Sequence, residues 1–265
     1  MAITSVDGVL AGMIAPQPIF KVGVAMEAAG VAHSHFYSVG SPGAAVAPSP
    51  GVNGAALTTY AGQIPWTNPV SGNSYLARLV VAASQPCSVM LLDRLWHNSG
   101  LSPTLTSSQA ITSPAWPARD RNGATLGHGL LCGIEWSAAG GAGTPTCTLG
   151  YTNQDGTSGR TATLAAVTTP NAGTFERWGL QAGDTGIRSI QSYQASATRT
   201  SGTFHLVVYR ILAVLHILAA NIGDKIDALT SGFVRLFNDT VPFLVQLPNG
   251  TTATNLSGQL VVTQG

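Results

Sequence analysis

Short apolar runs broken by turn-forming residues recur along most of the chain, and this rhythm restricts the fold more than any other feature. The breaks include Asn98-Ser99-Gly100, Asn122-Gly123, Asp155-Gly156 and Pro248-Asn249-Gly250. Gly, Pro and Asn supply the backbone conformations that end helices and reverse strands, so long helices do not fit between the breaks. A turn about every 8 to 15 residues is typical of a β-sandwich or barrel.

The runs between the turns predict strands. Polar and apolar residues alternate over positions 146–152, which is the strand period of two, and the Thr-rich segment 161–168 returns after Asp155-Gly156 as the second strand of a hairpin. Segments 175–180 and 187–193 are predicted to form a further pair. The remaining predicted strands are 75–83, 88–96, 130–136, 204–215, 241–247 and 256–262.

The two ends of the chain have a different character. Residues 1–70 are predicted to form an extended arm with short strands, because residues 39–69 are dense in Gly, Pro and Ala and exclude a regular helix. The periodicity of residues 27–39 does not decide whether they include a short strand that ends at Phe36 and Tyr37. Residues 71–220 are the predicted core. In residues 221–265 we expect a helix over 222–231, capped by Asn221, followed by terminal strands that pack on the core or on a neighbouring subunit.

The predicted fold is therefore mainly β: an antiparallel β-sandwich or barrel, jelly-roll-like, with an extended Gly/Pro-rich N-terminal segment and one short C-terminal helix. With 265 residues the chain is long enough to bury a substantial core.

Charged side chains are scarce. Only 9% of residues are Asp, Glu, Lys or Arg, against about 25% in typical soluble domains, and the net charge is +1. Such a surface has little self-repulsion, so we expect copies of the chain to associate, with a trimer as the working assumption. No run of Lys and Arg suggests a nucleic-acid partner. No apolar stretch is long enough to indicate a membrane span, and no secretory signal is recognisable, so synthesis and folding in a cytoplasm are expected.

Motifs for catalysis and cofactors are missing. The sequence contains no G-x-S-x-G, H-E-x-x-H or Gly-Lys-Ser/Thr loop, so we expect neither an enzyme nor a cofactor. The chain has three glutamates, Glu27, Glu135 and Glu176, and an Asp/Glu pair of the kind used in glycoside hydrolysis is the open alternative. His33 and His35 share one strand face and could hold a metal with a third ligand, although a polar pair at a strand face or subunit axis is favoured. The three cysteines, Cys87, Cys132 and Cys147, are expected to be reduced.

Two segments concentrate charge and tryptophan in this otherwise uncharged chain, at 93–100 and 116–123. Arg–carboxylate pairs beside tryptophan are typical of interfaces and also of rigid corners within one domain, and the tryptophans could instead bind a glycan. These three alternatives stay open. The candidate interface residues are Asp93, Arg94, Trp96, Trp116, Arg119, Asp120, Arg121 and Phe233.

Together with residues 181–190 (QAGDTGIRSI) and 228–233 (ALTSGF), these two segments resemble a family of virion structural proteins of tailed bacteriophages. The resemblance implies a structural head protein, most like a capsid decoration or cement protein. It also implies a location in the virion after synthesis in the host bacterial cytoplasm, and contacts with the major capsid protein or other virion proteins. The alternative within the same class is a tail or tail-tip protein that binds a host receptor or glycan, for which Trp66, Trp96, Trp116 and Trp136 would supply stacking surfaces.

Overall fold

The computed structural model of the chain describes residues 3–26 and 28–265, and this part is mainly β with antiparallel sheets. Within these ranges, helix α1 (Val6–Ala11) precedes seventeen strands, and helix α2 (Ala228–Ser231) is a single turn. The predicted fold class, an antiparallel sandwich or barrel, is confirmed.

Sheet I joins the two ends of the chain. Its strand order is β14 (Asp224–Asp227), β5 (Ser74–Ala83), β17 (Leu256–Gln264), β1 (Gln17–Lys21) and β3 (Gly40–Ser41), and β15 (Arg235–Leu236) also pairs with β5. The long central pair β5 and β17 runs from Leu256 opposite Ala83 to Gln264 opposite Ser74.

Sheet II is the centre of the molecule. Its order is β11 (Phe175–Arg177), β8 (Leu130–Ala138), β13 (Thr203–Ile217), β6 (Cys87–His97), β16 (Pro242–Pro248) and β2 (His33–Ser34), and β4 (Ala55–Ala56) also pairs with β6. Hydrogen bonds from Ser34 N to Gly173 O (2.6 Å) and from Phe175 N to Ala32 O (2.8 Å) connect the two edges of the sheet. The sheet therefore curls until its first and last strands meet.

Sheet III contains β10 (Arg160–Ala165), β9 (Thr146–Asn153), β12 (Ile187–Ala195) and β7 (Gln109–Ala110). Its β9–β10 hairpin is the one predicted from the alternating residues 146–152, with Ala162 opposite Leu149. The remaining long strands, β5, β6, β8, β13, β16 and β17, agree with the predicted strands to within a few residues.

Three apolar clusters show how the sheets pack. Sheet III packs on one part of sheet II through residues that include Leu149, Ile190 and Leu206. Sheet I packs on another part, through Leu79, Val89 and other aliphatic residues. The third cluster lies inside the curl of sheet II and is lined by Phe36, Met90, Leu92, Phe175, Val207, Tyr209, Phe243 and Val245.

Two secondary-structure predictions are wrong. The helix over 222–231 is replaced by strand β14 and the four-residue α2, which Asp227 caps instead of Asn221. Ile222 is 64% and Leu229 83% exposed, so the apolar spacing that predicted the helix does not face a core.

The predicted pairing of 175–180 with 187–193 is also incorrect, because β11 pairs with β8 in sheet II whereas β12 pairs with β9 and β7 in sheet III. The connection between them crosses from one sheet to the other. Asp184 anchors that connection to the β9–β10 hairpin by accepting hydrogen bonds from Tyr151, Asn153 and Arg160.

Candidate interface segments

Asp93 and Arg94 lie side by side on β6 but point to opposite faces of sheet II. Arg94 and Trp96 stand opposite the consecutive residues Tyr209 and Val208, so Leu95 is an extra residue in a β-bulge. A bulge changes which residues share a face. It places Arg94 and His97 on the same face, where Arg94 Nε donates to His97 Nδ1 at 3.2 Å.

Asp93 anchors a buried network on the other face of β6. Its Oδ2 accepts from Arg119 Nε at 3.2 Å and lies 3.9 Å from Arg210 Nη2, while its Oδ1 accepts from Val241 N at 2.9 Å. Arg119 also donates to the carbonyl oxygens of Leu57, Arg94 and Asp239. One buried guanidinium thus joins β6 to two other segments of the chain.

Asp120 organises the loop that follows. Its two carboxylate oxygens accept four backbone N–H groups, from Asn122, Ala124, Gly127 and His128, at 2.8 to 3.1 Å. A fully buried carboxylate with four charge-assisted hydrogen bonds is well satisfied without a cation. The Asn122-Gly123 turn is therefore shaped by the aspartate that precedes it.

Arg94 takes part in a second network, inside the curl of sheet II. Its Nη1 lies 2.6 Å from Glu135 Oε2, and Tyr37 donates to the same oxygen at 3.0 Å. The guanidinium also stacks over the Phe36 ring, 4.5 Å from the centroid. Since Arg94 and Glu135 are fully buried, this pair holds the segment around residues 36–37 against the strands.

The histidines beside this pair are held neutral. Burial, with smaller effects of Arg94 and His205, lowers the pKa of His97 to about 2. Burial likewise lowers the pKa of His205, while burial and the Glu135 carboxylate raise that of Tyr37 well above its usual value. The neutral imidazole of His97 therefore accepts the hydrogen bond from Arg94 Nε.

The tryptophans are core residues. Trp96 and Trp116 pack against each other with ring centroids 5.5 Å apart, and both are at most 1% exposed. Their indole N–H groups donate to the carbonyl oxygens of Asn53 and Ile187. Trp136 is also buried, and Trp66 is half-buried with its N–H on Thr240 O. Trp96, Trp116 and Trp136 therefore offer no surface on which a glycan could stack.

Six of the eight candidate interface residues are thus inside the subunit: Asp93, Arg94, Trp96, Trp116, Arg119 and Asp120. The sequence left open an interface, an internal corner or a glycan-binding surface, and the burial of these six side chains agrees with an internal corner. Arg121 is exposed and Phe233 is half-buried against Tyr75, with ring centroids 6.1 Å apart. These two residues alone among the eight can reach a partner without a change of structure.

His33 and His35 are close, with ring centroids 5.8 Å apart, but both are buried and their surroundings do not form a metal site. His35 Nε2 is 2.7 Å from Gln246 Oε1 and its Nδ1 is 3.3 Å from Ser38 Oγ. Within the described ranges, no group of three His, Cys, Asp or Glu side chains is arranged to hold a metal ion. Glu135 and Glu176 belong to separate networks, and Glu27 lies outside the described residues.

The three cysteines were expected to be reduced because their number is odd, and the structure agrees. Cys87, Cys132 and Cys147 are all free and buried. Burial raises the pKa of the Cys87 thiol to about 11, which leaves it protonated and unreactive at neutral pH.

Burial of charge leaves the surface even less charged than the composition implies. Glu27 aside, nine of the other 22 charged residues are buried: Lys21, Asp93, Arg94, Arg119, Asp120, Glu135, Glu176, Arg199 and Arg210. Most of them bind backbone carbonyl or N–H groups of loops; Lys21 Nζ, for example, donates to the carbonyls of Ser38 and Pro42. The charges of this protein are used largely for internal structure.

An apolar surface that the sequence reasoning missed lies at the N-terminal end. Val6, Leu10 and Met13 follow helical spacing and are 68%, 58% and 42% exposed, and no residue of α1 is buried. Beside them an apolar groove of about 450 Å³ is lined by Met13, Ile14, Ala15, Pro16, Arg78, Gln259 and Val261. The signal was present in the sequence, since Ser5 caps the helix and the three apolar residues stand at i, i+4 and i+7.

Comparisons of the chain with protein-family models, with curated protein sequences and with solved structures gave no match. None of the helices in the described ranges is long and apolar enough to cross a membrane.

Proposed function

We propose that this chain is a structural subunit of a tailed-phage particle, a capsid decoration or cement protein that stabilises the shell through extended protein–protein contacts. The resemblance of the segments at 93–100, 116–123, 181–190 and 228–233 to virion proteins supports the phage assignment. The proposal assigns no catalytic residue and no cofactor.

One observation carries the proposal: many charged side chains are buried, whereas several apolar side chains are exposed. Charged residues are ordinarily found at the surface, and buried ones are costly unless they are paired. Here nine of them are buried, whereas Val70, Leu218 and Leu229 are each more than 80% exposed. A surface with so few charges has little self-repulsion, which favours association with neighbouring molecules.

The apolar stripe of α1, defined as Val6 and Leu10 of the helix together with Met13 just after its end, is the surface we assign to contacts between copies. It continues into the groove at Met13–Pro16, so a neighbour could cover both at once. Exposed apolar side chains at helical spacing on a short helix are typical of a helix that docks onto another chain. We propose that copies of the chain form a trimer through this surface and that the trimer contacts the major capsid protein or other virion proteins.

Co-sedimentation with phage heads that lack the native subunit tests this function. Wild-type protein is expected to sediment with the heads. The double variant Val6→Ser/Leu10→Ser should bind at least tenfold more weakly although the subunit stays folded, because loss of the contacts between copies removes the multivalent attachment of the trimer. Leu105→Ser, at a 47% exposed position in another loop, is the matched control and should bind like wild type.

Protein that fails to sediment with heads yet binds host cells or a purified surface glycan would overturn the capsid role and favour the tail-tip alternative. Equal binding of wild type and Val6→Ser/Leu10→Ser would show that α1 is not the contact surface.

A further inference from the structure

Three arginines line one groove on the surface between sheets I and II. The groove has a volume of about 390 Å³, and its walls are formed by Arg121, Gly129, Leu131, Thr185, Arg210, Ile211, Val234 and Arg235. No Asp or Glu contributes to these walls. In the described part of the chain, neither Arg121 nor Arg235 has a carboxylate oxygen within 4.0 Å of its guanidinium nitrogens.

Arg210 forms the floor of this groove and is incompletely partnered. It is 7% exposed, its Nη2 donates to Arg235 O at 2.9 Å, and the same nitrogen is 3.9 Å from Asp93 Oδ2, which is beyond hydrogen-bonding distance. Its buried Nε has no hydrogen-bond partner in the described ranges. Because Asp93 is already bound by Arg119 and Val241 N, Arg210 keeps positive charge that this carboxylate does not neutralise fully.

The guanidinium groups are held in place by an aromatic ring. Arg210 and Arg235 lie 4.8 and 4.7 Å from the centroid of Phe237. Burial, together with the nearby charges of Arg119 and Arg235, lowers the pKa of Arg210, whereas Asp93 and Asp120 oppose the change. Fixed like charges in a half-enclosed groove are the arrangement that binds an anion with little reorganisation.

A free strand edge runs beside the groove. β13 pairs with β6 from Val207 to Ile217, but its other edge pairs with β8 only from Thr203 to Arg210, which stands opposite Leu130. Beyond that point His216 N donates to the Asp224 carboxylate, so the N–H of His216 points away from β6. Alternate residues of an antiparallel strand direct their N–H groups to the same edge, so the N–H of Val214 also points away from β6. In the described residues no strand pairs with this edge at 211–215, and Ile211 and Val214 are 37% and 38% exposed.

We infer that this groove is a binding site for an acidic extended peptide segment of a partner protein. A carboxylate of the segment sits among Arg121, Arg210 and Arg235, and its backbone adds to the edge of β13 at Val214. The apolar walls Leu131, Ile211 and Val234 favour a peptide with alternating acidic and aliphatic residues. This inference does not depend on the proposed role in a phage particle.

The test uses the full chain and a fluorescein-labelled heptapeptide of alternating valine and glutamate, with binding followed by fluorescence anisotropy. We expect saturable binding that weakens between about 0.05 and 0.5 M NaCl, because the contact is electrostatic. The same peptide with glutamine in place of glutamate should bind at least tenfold more weakly.

Variants of exposed residues separate the two parts of the site. Arg121→Gln/Arg235→Gln should weaken binding at least tenfold, whereas Lys225→Gln, at an exposed cation on β14, should leave it unchanged. Val214→Pro removes one outward N–H and should also weaken binding, and a melting curve shows whether it still folds. If it does not fold, replacement of Val214 by N-methylvaline through semisynthesis removes the same N–H and keeps the side chain.

Three results would overturn the inference. The first is equal affinity for the glutamate and glutamine peptides, and the second is unchanged affinity in Arg121→Gln/Arg235→Gln. The third is binding of inorganic phosphate or glutarate as tight as that of the peptide, which would show a site for small oxyanions without a peptide contact.

Discussion

Single buried charges hold the loops of this protein in place. Arg119 is the clearest case, because its guanidinium contacts Asp93 and three backbone carbonyls from separate parts of the chain. The sequence showed that these residues were unusual, since charge is rare throughout, but an interface and an internal corner require the same residue types. Only the packing of β6 against the rest of the chain decides between them.

Arg119→Met is therefore expected to destabilise the isolated subunit by about 3 to 5 kcal/mol, because it leaves the buried Asp93 carboxylate without its nearest cation. Urea unfolding followed by tryptophan fluorescence measures the change. Arg121→Met, two residues away and exposed, should cost less than about 0.5 kcal/mol. A loss below about 1 kcal/mol for Arg119→Met would contradict the structural role.

Buried neutral histidines predict that stability falls in acid. Burial lowers the pKa of His33 to about 4 and of His35 to about 3, against about 6.5 when unfolded. Between those values the unfolded chain binds more protons than the folded chain, so the free energy of unfolding decreases as pH falls below about 6.5.

Unfolding midpoints measured at pH 7, 6 and 5 should decrease steadily, and His35→Gln should reduce the slope by up to about 1.4 kcal/mol per pH unit. His216→Gln is the control, since His216 is exposed. An unchanged slope in His35→Gln would show that the pKa of this imidazole is the same in the folded and unfolded chain, which would contradict its burial.

At the scale of elements, the positions of the long strands could be predicted from the sequence, whereas the strands with which they pair could be predicted less well. β5, β6, β8, β9, β13 and β17 each have an apolar run or a period of two bounded by turn residues, and their positions follow from that pattern alone. The two-residue strands β2, β3 and β4 are too short to show any period. The helix predicted over 222–231 failed because apolar spacing does not reveal whether a core lies beneath it.

Closure of sheet II depends on a contact that sequence periodicity cannot reveal. Gly173 has φ +99° and its carbonyl accepts from Ser34 N, and a Cβ there would lie 2.3 Å from His33 Nε2. The sheet closes only because this position has no side chain. Gly183 has a similar φ of +89° but open space around its Cα.

Gly173→Ala is accordingly expected to cost at least about 2 kcal/mol more than Gly183→Ala, because both introduce backbone strain but only the first displaces a buried ring. Thermal or urea unfolding of the two variants measures the difference. Similar losses in both would mean that the edges of sheet II do not meet as described.

For the whole molecule, the distribution of charge matters more than the amount. The sequence reveals that only 9% of residues are charged, yet it cannot show which of them are buried. The structure does, and it leaves an outer surface with few charges and an apolar stripe on α1. The groove lined by Arg121, Arg210 and Arg235 could not be predicted from the sequence either, because these arginines come from three distant segments of the chain.

Stability should be independent of the redox state, because all three cysteines are free. The melting temperature with and without dithiothreitol is expected to agree within about 1 °C. A decrease of more than about 5 °C on reduction, the size expected for loss of about 1 to 2 kcal/mol, would reveal a cross-link.

The most direct test of the central claim, that this sparsely charged and partly apolar surface is covered by other subunits, is the mass of the purified chain in solution. Size exclusion with multi-angle light scattering over a range of micromolar concentrations should give a mass near three times the 27.1 kDa of one chain. Val6→Ser/Leu10→Ser should shift the equilibrium toward the single chain, and that chain should still unfold cooperatively. A single 27.1 kDa species for the wild type at every concentration would contradict the claim.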